Sequence, residues 1–191
     1  MAIVRRYIQV CFVAFAVAVL FNAWPPSLLF AGMKVTEIKK NNGFYEIVLN
    51  NDIKIFNILL NNKRLIFPQY ERKVRIYKQF SILKRDFNNY LLYAVTYNKT
   101  FLGKCITSFK VNKMLVLKNS KGAVKAFASV IFDDDIEVEC RIISGKNGLW
   151  TAWPSCLNNN VWVKNFIFVN LDLQKRVEKR LIASYTSALN G

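Results

Sequence analysis

Cations are the residues whose type and spacing point to chemistry. Arg72, Lys73, Arg75 and Lys78 cluster in one short stretch, with Lys84 and Arg85 just beyond it, and Lys175, Arg176, Lys179 and Arg180 form a second group near the C-terminus. Lys164 stands between them. Ammonium and guanidinium groups clustered in this way bind phosphate oxygens and hold a polyanion without reading its sequence. In a strand, alternation puts Lys73, Arg75 and Tyr77 on one face and Val74, Ile76 and Lys78 on the other. The Tyr77 ring beside those cations offers a surface on which a base stacks. Affinity gained from phosphate contacts falls steeply with added salt. The competing reading of the first cluster is a solvated basic edge that keeps a strand from aggregating.

Catalysis finds little support. The chain has no His, which removes the commonest general base and any Ser–His or Cys–His nucleophile pair. Asp133, Asp134 and Asp135 are consecutive, so in a hairpin their carboxylates point in different directions, and no second acidic cluster completes a metal shell. They read as a turn with solvated carboxylates. No P-loop or dinucleotide fingerprint is present, and no catalytic residue, cofactor or metal is expected. Trp150, Trp153 and Trp162 fall in strand-like segments and are assigned to core packing. Cys105, Cys140 and Cys156 are odd in number and lack C-x-x-C spacing, which fits free thiols better than a zinc knuckle or a disulfide framework. One exported disulfide pair is the other option.

The composition of the 191 residues is 53% hydrophobic and 14% aromatic, enough apolar material to bury a core and to set disorder aside. Lys and Arg number 28 against 12 Asp and Glu, a net charge of +16, which favours nucleic acid or anionic lipid headgroups as partners. Abundant Lys, Asn, Ile, Phe and Tyr also fit an AT-rich genome, so part of the Lys excess can be a solvated surface. The charge is uneven. Residues 33–105 carry 14 Lys and Arg against 5 Asp and Glu, and residues 106–191 carry 12 against 7.

Residues 1–32 form a separate block. Arg5 and Arg6 precede an apolar run from Ile8 to Phe21, a polar and Pro-rich break follows at Asn22 to Ser27, and small residues stand at Ala31 and Gly32. That order matches a signal peptide, a membrane anchor if the apolar segment runs on to Trp24, or a misassigned start ahead of Met33. Export or membrane contact follows from a real leader, and a cytoplasmic protein from translation beginning at Met33.

The rest of the chain repeats itself. Ile47-Val48-Leu49-Asn50-Asn51-Asp52-Ile53-Lys54-Ile55 matches Val130-Ile131-Phe132-Asp133-Asp134-Asp135-Ile136-Glu137-Val138, apolar for apolar and polar for polar. Pro68 aligns with Pro154, and Ile76-Tyr77-Lys78-Gln79-Phe80 with Trp162-Val163-Lys164-Asn165-Phe166. A period of about 83 to 86 residues is domain-sized, so two copies of one small fold are expected over 33–105 and 106–191. Each copy reads as a β-hairpin turned by Asx residues. In the second copy Ser144-Gly145-Lys146-Asn147-Gly148 makes a tight turn, and strands follow over Leu149–Trp153 and Val161–Phe168. A helix closes each copy. Leu173, Val177 and Leu181 form one apolar stripe, with Asn170 or Asp172 as cap. Phe87, Leu91 and Val95 form the other, capped by Asp86, with Asn88, Tyr90 and Tyr93 outside it. The fold class is α+β: two tandem small domains, each an antiparallel sheet of about four or five strands with one C-terminal helix.

Lys125-Ala126-Phe127-Ala128-Ser129-Val130, Phe132-Asp133, Arg141-Ile142-Ile143 and Gly145-Lys146-Asn147-Gly148-Leu149 resemble the SpoVG family of small bacterial regulators, and Ala152-Trp153-Pro154-Ser155 is similar to that family's Ala-Met-Pro-Ser. Met33-Lys34-Val35-Thr36-Glu37-Ile38 resembles the family's start. The likeness runs from about Ala126 to Tyr185, and the first copy is far more diverged. It implies a non-enzymatic protein that dimerises, binds DNA and RNA, and is linked to septation and sporulation. Two copies in one chain then imply a monomeric pseudo-dimer rather than a homodimer. After Pro154-Ser155 the family's basic pair is replaced by Cys156-Leu157, and Lys164 alone keeps a cation where the family has Arg. The alternative is an exported or membrane-tethered interaction module of the same fold that has lost nucleic-acid binding.

Overall fold

A computed structural model of the protein describes residues 32–190 other than 73, 74, 104, 159 and 160. The expected leader lies outside these residues except for Gly32. Seven strands and a helix follow one another twice. The first set is β1 (Val35–Asn41), β2 (Phe44–Leu49), β3 (Ile53–Asn61), β4 (Arg64–Ile66), β5 (Gln69–Arg72), β6 (Arg75–Lys78), β7 (Phe80–Ile82) and α1 (Arg85–Tyr97). The second is β8 (Phe109–Val116), β9 (Val124–Phe132), β10 (Ile136–Gly145), β11 (Gly148–Ala152), β12 (Ser155–Asn158), β13 (Val161–Lys164), β14 (Phe166–Phe168) and α2 (Leu171–Asn190). The repeat read from apolar spacing is therefore a structural repeat.

The central hairpins show why the Asx residues stand where they do. Asn50 and Asn51 have φ of 54° and 58°, and Asp133 and Asp134 have 49° and 56°. In each turn the fourth residue donates back to the first: Asp52 N–H to the Leu49 carbonyl at 2.9 Å, and Asp135 N–H to that of Phe132 at 3.0 Å. Two consecutive left-handed residues make a type I′ turn, whose twist matches the flanking strands and which short Asx side chains tolerate.

Each of the two large sheets has five strands, one of them from the other repeat, and β5–β6 and β12–β13 form separate two-stranded sheets. The first runs β1-β2-β3-β14 with β4 also on β3, and the second runs β11-β10-β9-β8 with β7 also on β10. Phe166 pairs with Ile55 and Phe168 with Ile53, while Phe80 pairs with Val138 and Ile82 with Ile136. The two exchanges occupy equivalent positions and relate the repeats by a pseudo-twofold axis. The single strand expected over Val161–Phe168 is accordingly two, broken at Asn165. Its first part pairs with β12, and its second crosses to β3.

A polar pair sits at that break. Gln79 and Asn165 are buried, and Asn165 Nδ2 donates to Gln79 Oε1 at 2.8 Å. Asn165 Oδ1 accepts from Asn57 Nδ2 at 2.8 Å, and Gln79 Nε2 donates to the Ser155 carbonyl at 3.0 Å. Their backbone carbonyls accept from Glu139 and Phe56 N–H, each at 3.0 Å. Phe80 and Phe166 follow directly, their ring centres 6.4 Å apart.

The helices bury the stripes expected of them. Phe87, Leu91 and Val95 of α1 and Leu173, Val177 and Leu181 of α2 are buried, each fully buried Leu or Phe contributing about 1.5–3 kcal/mol. Asn170 caps α2, its Oδ1 accepting from Asp172 and Leu173 N–H at 3.0 and 3.2 Å. Asp86 does not cap α1. Lys84 takes the N-cap position without a side-chain cap, and Asp86 lies in the first turn, where its charge favours the helix dipole. Tyr90, placed outside the stripe by its spacing, is buried, and its hydroxyl accepts from Val35 N–H at 2.9 Å.

Removing Asn165 leaves the Gln79 amide oxygen buried without its donor. Asn165→Ala should lower the unfolding free energy by about 2–3 kcal/mol, read from urea midpoints. The double variant Asn165→Ala/Gln79→Ala should lose less than the sum of the single losses, because the hydrogen bond between the two amides is then counted only once and neither amide is left buried without the other.

Candidate nucleic-acid interface

Helix α2 packs along β8, and its exposed flank and that strand form a groove of about 700 Å³ lined by Lys110, Lys113, Arg176, Lys179 and Arg180. The helix supplies three of these cations because they lie beside the buried stripe rather than in it. Arg176 is further held by Phe109, its guanidinium 6.0 Å from the ring centre, within cation–π range. Strand β8 supplies the other two. A bulge between Val111 and Lys113 leaves Asn112 and Lys113 both exposed in succession.

The structure brings together three of the cations singled out from sequence, Arg176, Lys179 and Arg180, and adds Lys110 and Lys113. The alternation Phe109-Lys110-Val111 was the available signal for that strand, but it lies outside the aligned repeat segments. Lys175 is exposed on α2 and stands 3.8 Å from Asp172. Lys164 and Lys78 end equivalent strands, β13 and β6, and are exposed away from the groove. Arg72 and Arg75 form the last pair of the β5–β6 hairpin; Lys73 lies outside the described residues, and β6 begins only at Arg75. Arg85 is exposed at the start of α1. Lys84 is engaged already, its Nζ 2.9 Å from Asp135 Oδ1. The hydrogen bond it donates to Asp135 and the charges of the acidic turn raise its pKa.

The acidic turn is less solvated than its composition implies. Asp135 is fully buried and also accepts from Met33 N–H at 2.7 Å. Asp133 accepts from Ser108 N–H at 2.7 Å, from Ser108 Oγ at 2.8 Å and from Asn50 Nδ2 at 2.9 Å, the last a contact between the two equivalent turns. Asp134 is exposed and pairs with Lys110, whose hydrogen bond lowers its pKa. Glu137 lies 3.3 Å from Lys113. Burial opposes the charge of Glu137, but hydrogen bonds from Ser129, Asn112 and Lys113 outweigh it and hold its carboxyl below the ordinary value. Lys110 and Lys113 are thus partly neutralised. Arg176, Lys179 and Arg180 have no carboxylate partner among the described residues. Cys105, Cys140 and Cys156 are free; burial pushes the Cys140 thiol up to about 12, which makes it a poor nucleophile at neutral pH.

Residues 105–187 match the family model described as SpoVG. The second half of the chain is similar to the SpoVG family. The groove falls wholly inside the SpoVG segment, since Lys110 and Arg180 both lie within it, and the basic β5–β6 hairpin falls outside. The first repeat is joined to the SpoVG segment by its strand order and its exchanged strand rather than by the family match. No curated protein and no solved structure matches the chain.

Glu137 contributes stability while ionised. Its pKa is lower folded than unfolded, so that contribution is present above about pH 4.5 and is lost as pH falls through the lowered value. Glu137→Gln should therefore flatten the acid limb of a stability–pH profile measured by urea denaturation from pH 6 to about pH 3. An unchanged acid limb would contradict the assignment.

Proposed function

We propose that this protein is a non-enzymatic SpoVG-type regulator that binds DNA or RNA as a polyanion through the groove between α2 and β8. The observation that carries this reading is the set of three cations, Arg176, Lys179 and Arg180, gathered on one flank of α2 without carboxylate partners among the described residues. Such a set contacts phosphates and positions a strand without base readout. Lys110 and Lys113 extend the site, their carboxylate partners giving way to phosphates of the same charge. The net charge of +16 adds long-range attraction for the same partner. Septation and sporulation are the processes in which the family resemblance would have such a protein act. The exchanged strands already satisfy the pairing that a homodimer would provide, which supports a monomer in solution.

An electrophoretic shift titrated with salt tests the reading. Arg176→Ala/Lys179→Ala/Arg180→Ala should weaken binding at low salt about tenfold or more and reduce the slope of log K against log salt by about 2 to 3, since each lost phosphate contact removes about 0.7 to 0.9. Absence of retardation of any nucleic acid by the natural protein at low salt would reject it.

A further inference from the structure

Helix α2 borders a second cavity on the other side of its buried stripe, and this one is aromatic. About 770 Å³ in volume, it is lined by Trp150 of β11, Trp153, Trp162 and Lys164 of β13, Arg141 of β10, and Glu178 of α2. The size falls within the range of pockets that take small ligands. Trp153 forms a fixed wall: its Nε1 donates to Glu178 Oε1 at 3.0 Å, and its ring centre lies 5.1 Å from that of Phe166. The other two indoles are not core residues, as their strand placement had suggested. Trp150 is 51% and Trp162 58% exposed. Large aromatic faces presented to water beside cations form a surface for planar anionic ligands. Lys164 and Arg141 supply the charge, while the Glu178 carboxylate is engaged by Trp153 and by Gln174 Nε2 at 3.0 Å. Helical spacing puts Lys175 and Lys179 on the outward face of α2, between this cavity and the basic groove.

We infer that the tryptophan cavity stacks an unpaired base of a single-stranded nucleic acid whose backbone lies in the α2 groove, so that this protein prefers single strands to duplex. The inference rests on the proposed nucleic-acid binding and adds to it the form of the strand. Indole faces stack on any base, which favours unpaired strands without selecting a sequence, whereas duplex bases are occupied by their neighbours. Lys164 and Arg141 would meet the phosphates flanking the stacked base.

The test compares the full chain with Trp150→Ala/Trp162→Ala, using a thymidine oligonucleotide of about 20 residues and a blunt duplex of the same length. The double variant should bind the single strand about tenfold or more weakly, with duplex affinity and salt slope unchanged, and Trp162→Phe should restore most of the loss. Trp162 lies on an exposed two-stranded hairpin, so its replacement leaves the core intact. Equal weakening toward both probes, or none toward the single strand, would overturn the inference while leaving the groove reading in place. A protein that binds neither probe rejects the groove reading. Thymidine 5′-monophosphate then decides the cavity separately: saturable quenching of indole fluorescence that Trp162→Ala removes supports it, and its absence overturns it.

Discussion

Strand β14 hydrogen-bonds to β3 and strand β7 to β10, so each five-stranded sheet is completed by three residues of the other repeat. Without them the starts of β3 and β10 would present unpaired backbone beside the aromatic core, and an open edge of that kind invites pairing with another chain. The Gln79–Asn165 pair fixes where each chain segment turns from its own hairpin to the foreign sheet. A buried amide pair of this sort contributes position more than energy, because only one register satisfies every donor and acceptor. The hairpins that precede it follow from the same geometry. Tyr70 and Tyr77 of β5–β6 share a cleft with Phe127 and Arg141 of the second sheet, and Cys156 and Leu157 of β12 share one with Phe44 and Leu59 of the first.

The same axis organises the charge. It brings the two Asx turns together, so that Asn50 meets Asp133, and it brings Lys84 of the first repeat to the buried Asp135 of the second. At the equivalent contact Asn170 Nδ2 donates to Asp52 Oδ1 at 2.8 Å. The acidic run that looks repulsive to a phosphate backbone is thereby tied into the fold, by Lys84, Lys110, Ser108 and backbone amides. Lys175, Arg176, Lys179 and Arg180 remain outward along the middle of α2. The functional surface and the structural centre are therefore linked: α2 is held on β8, β11 and β14, and β14 is the exchanged strand.

Much of this was legible in the residues. Apolar spacing on either side of Asn50-Asn51-Asp52 and Asp133-Asp134-Asp135 marked equivalent hairpins, and the three-residue spacing shift between Pro68 and Pro154 falls in the next hairpin. Strand exchange was not legible. Phe80 and Phe166 align with each other whether each pairs within its own repeat or across, and a pairing between residues so distant in sequence leaves no local signal. Trp150 and Trp162 differ from the core placement their strands imply, because an aromatic residue in a strand has a face but no stated neighbour, and here the neighbour is solvent. Tyr90 erred the other way, drawn inward by a backbone amide at Val35. Lys110 and Lys113 carry no such signal, because their strand lies outside the aligned segments and a bulge breaks its alternation. Asp86 looked like a cap by type, yet Lys84 occupies that position, held by Asp135 across the axis.

Interlocked sheets must open together. Native-state hydrogen exchange read by mass spectrometry across β3, β7, β10 and β14 measures this directly. The exchanged strands and their acceptors should share one opening free energy, equal to that of global unfolding from urea denaturation, with the same dependence on denaturant for both repeats. A first repeat that opens at lower free energy while β10 and β14 stay protected would show that the repeats fold independently, and would contradict the interlock.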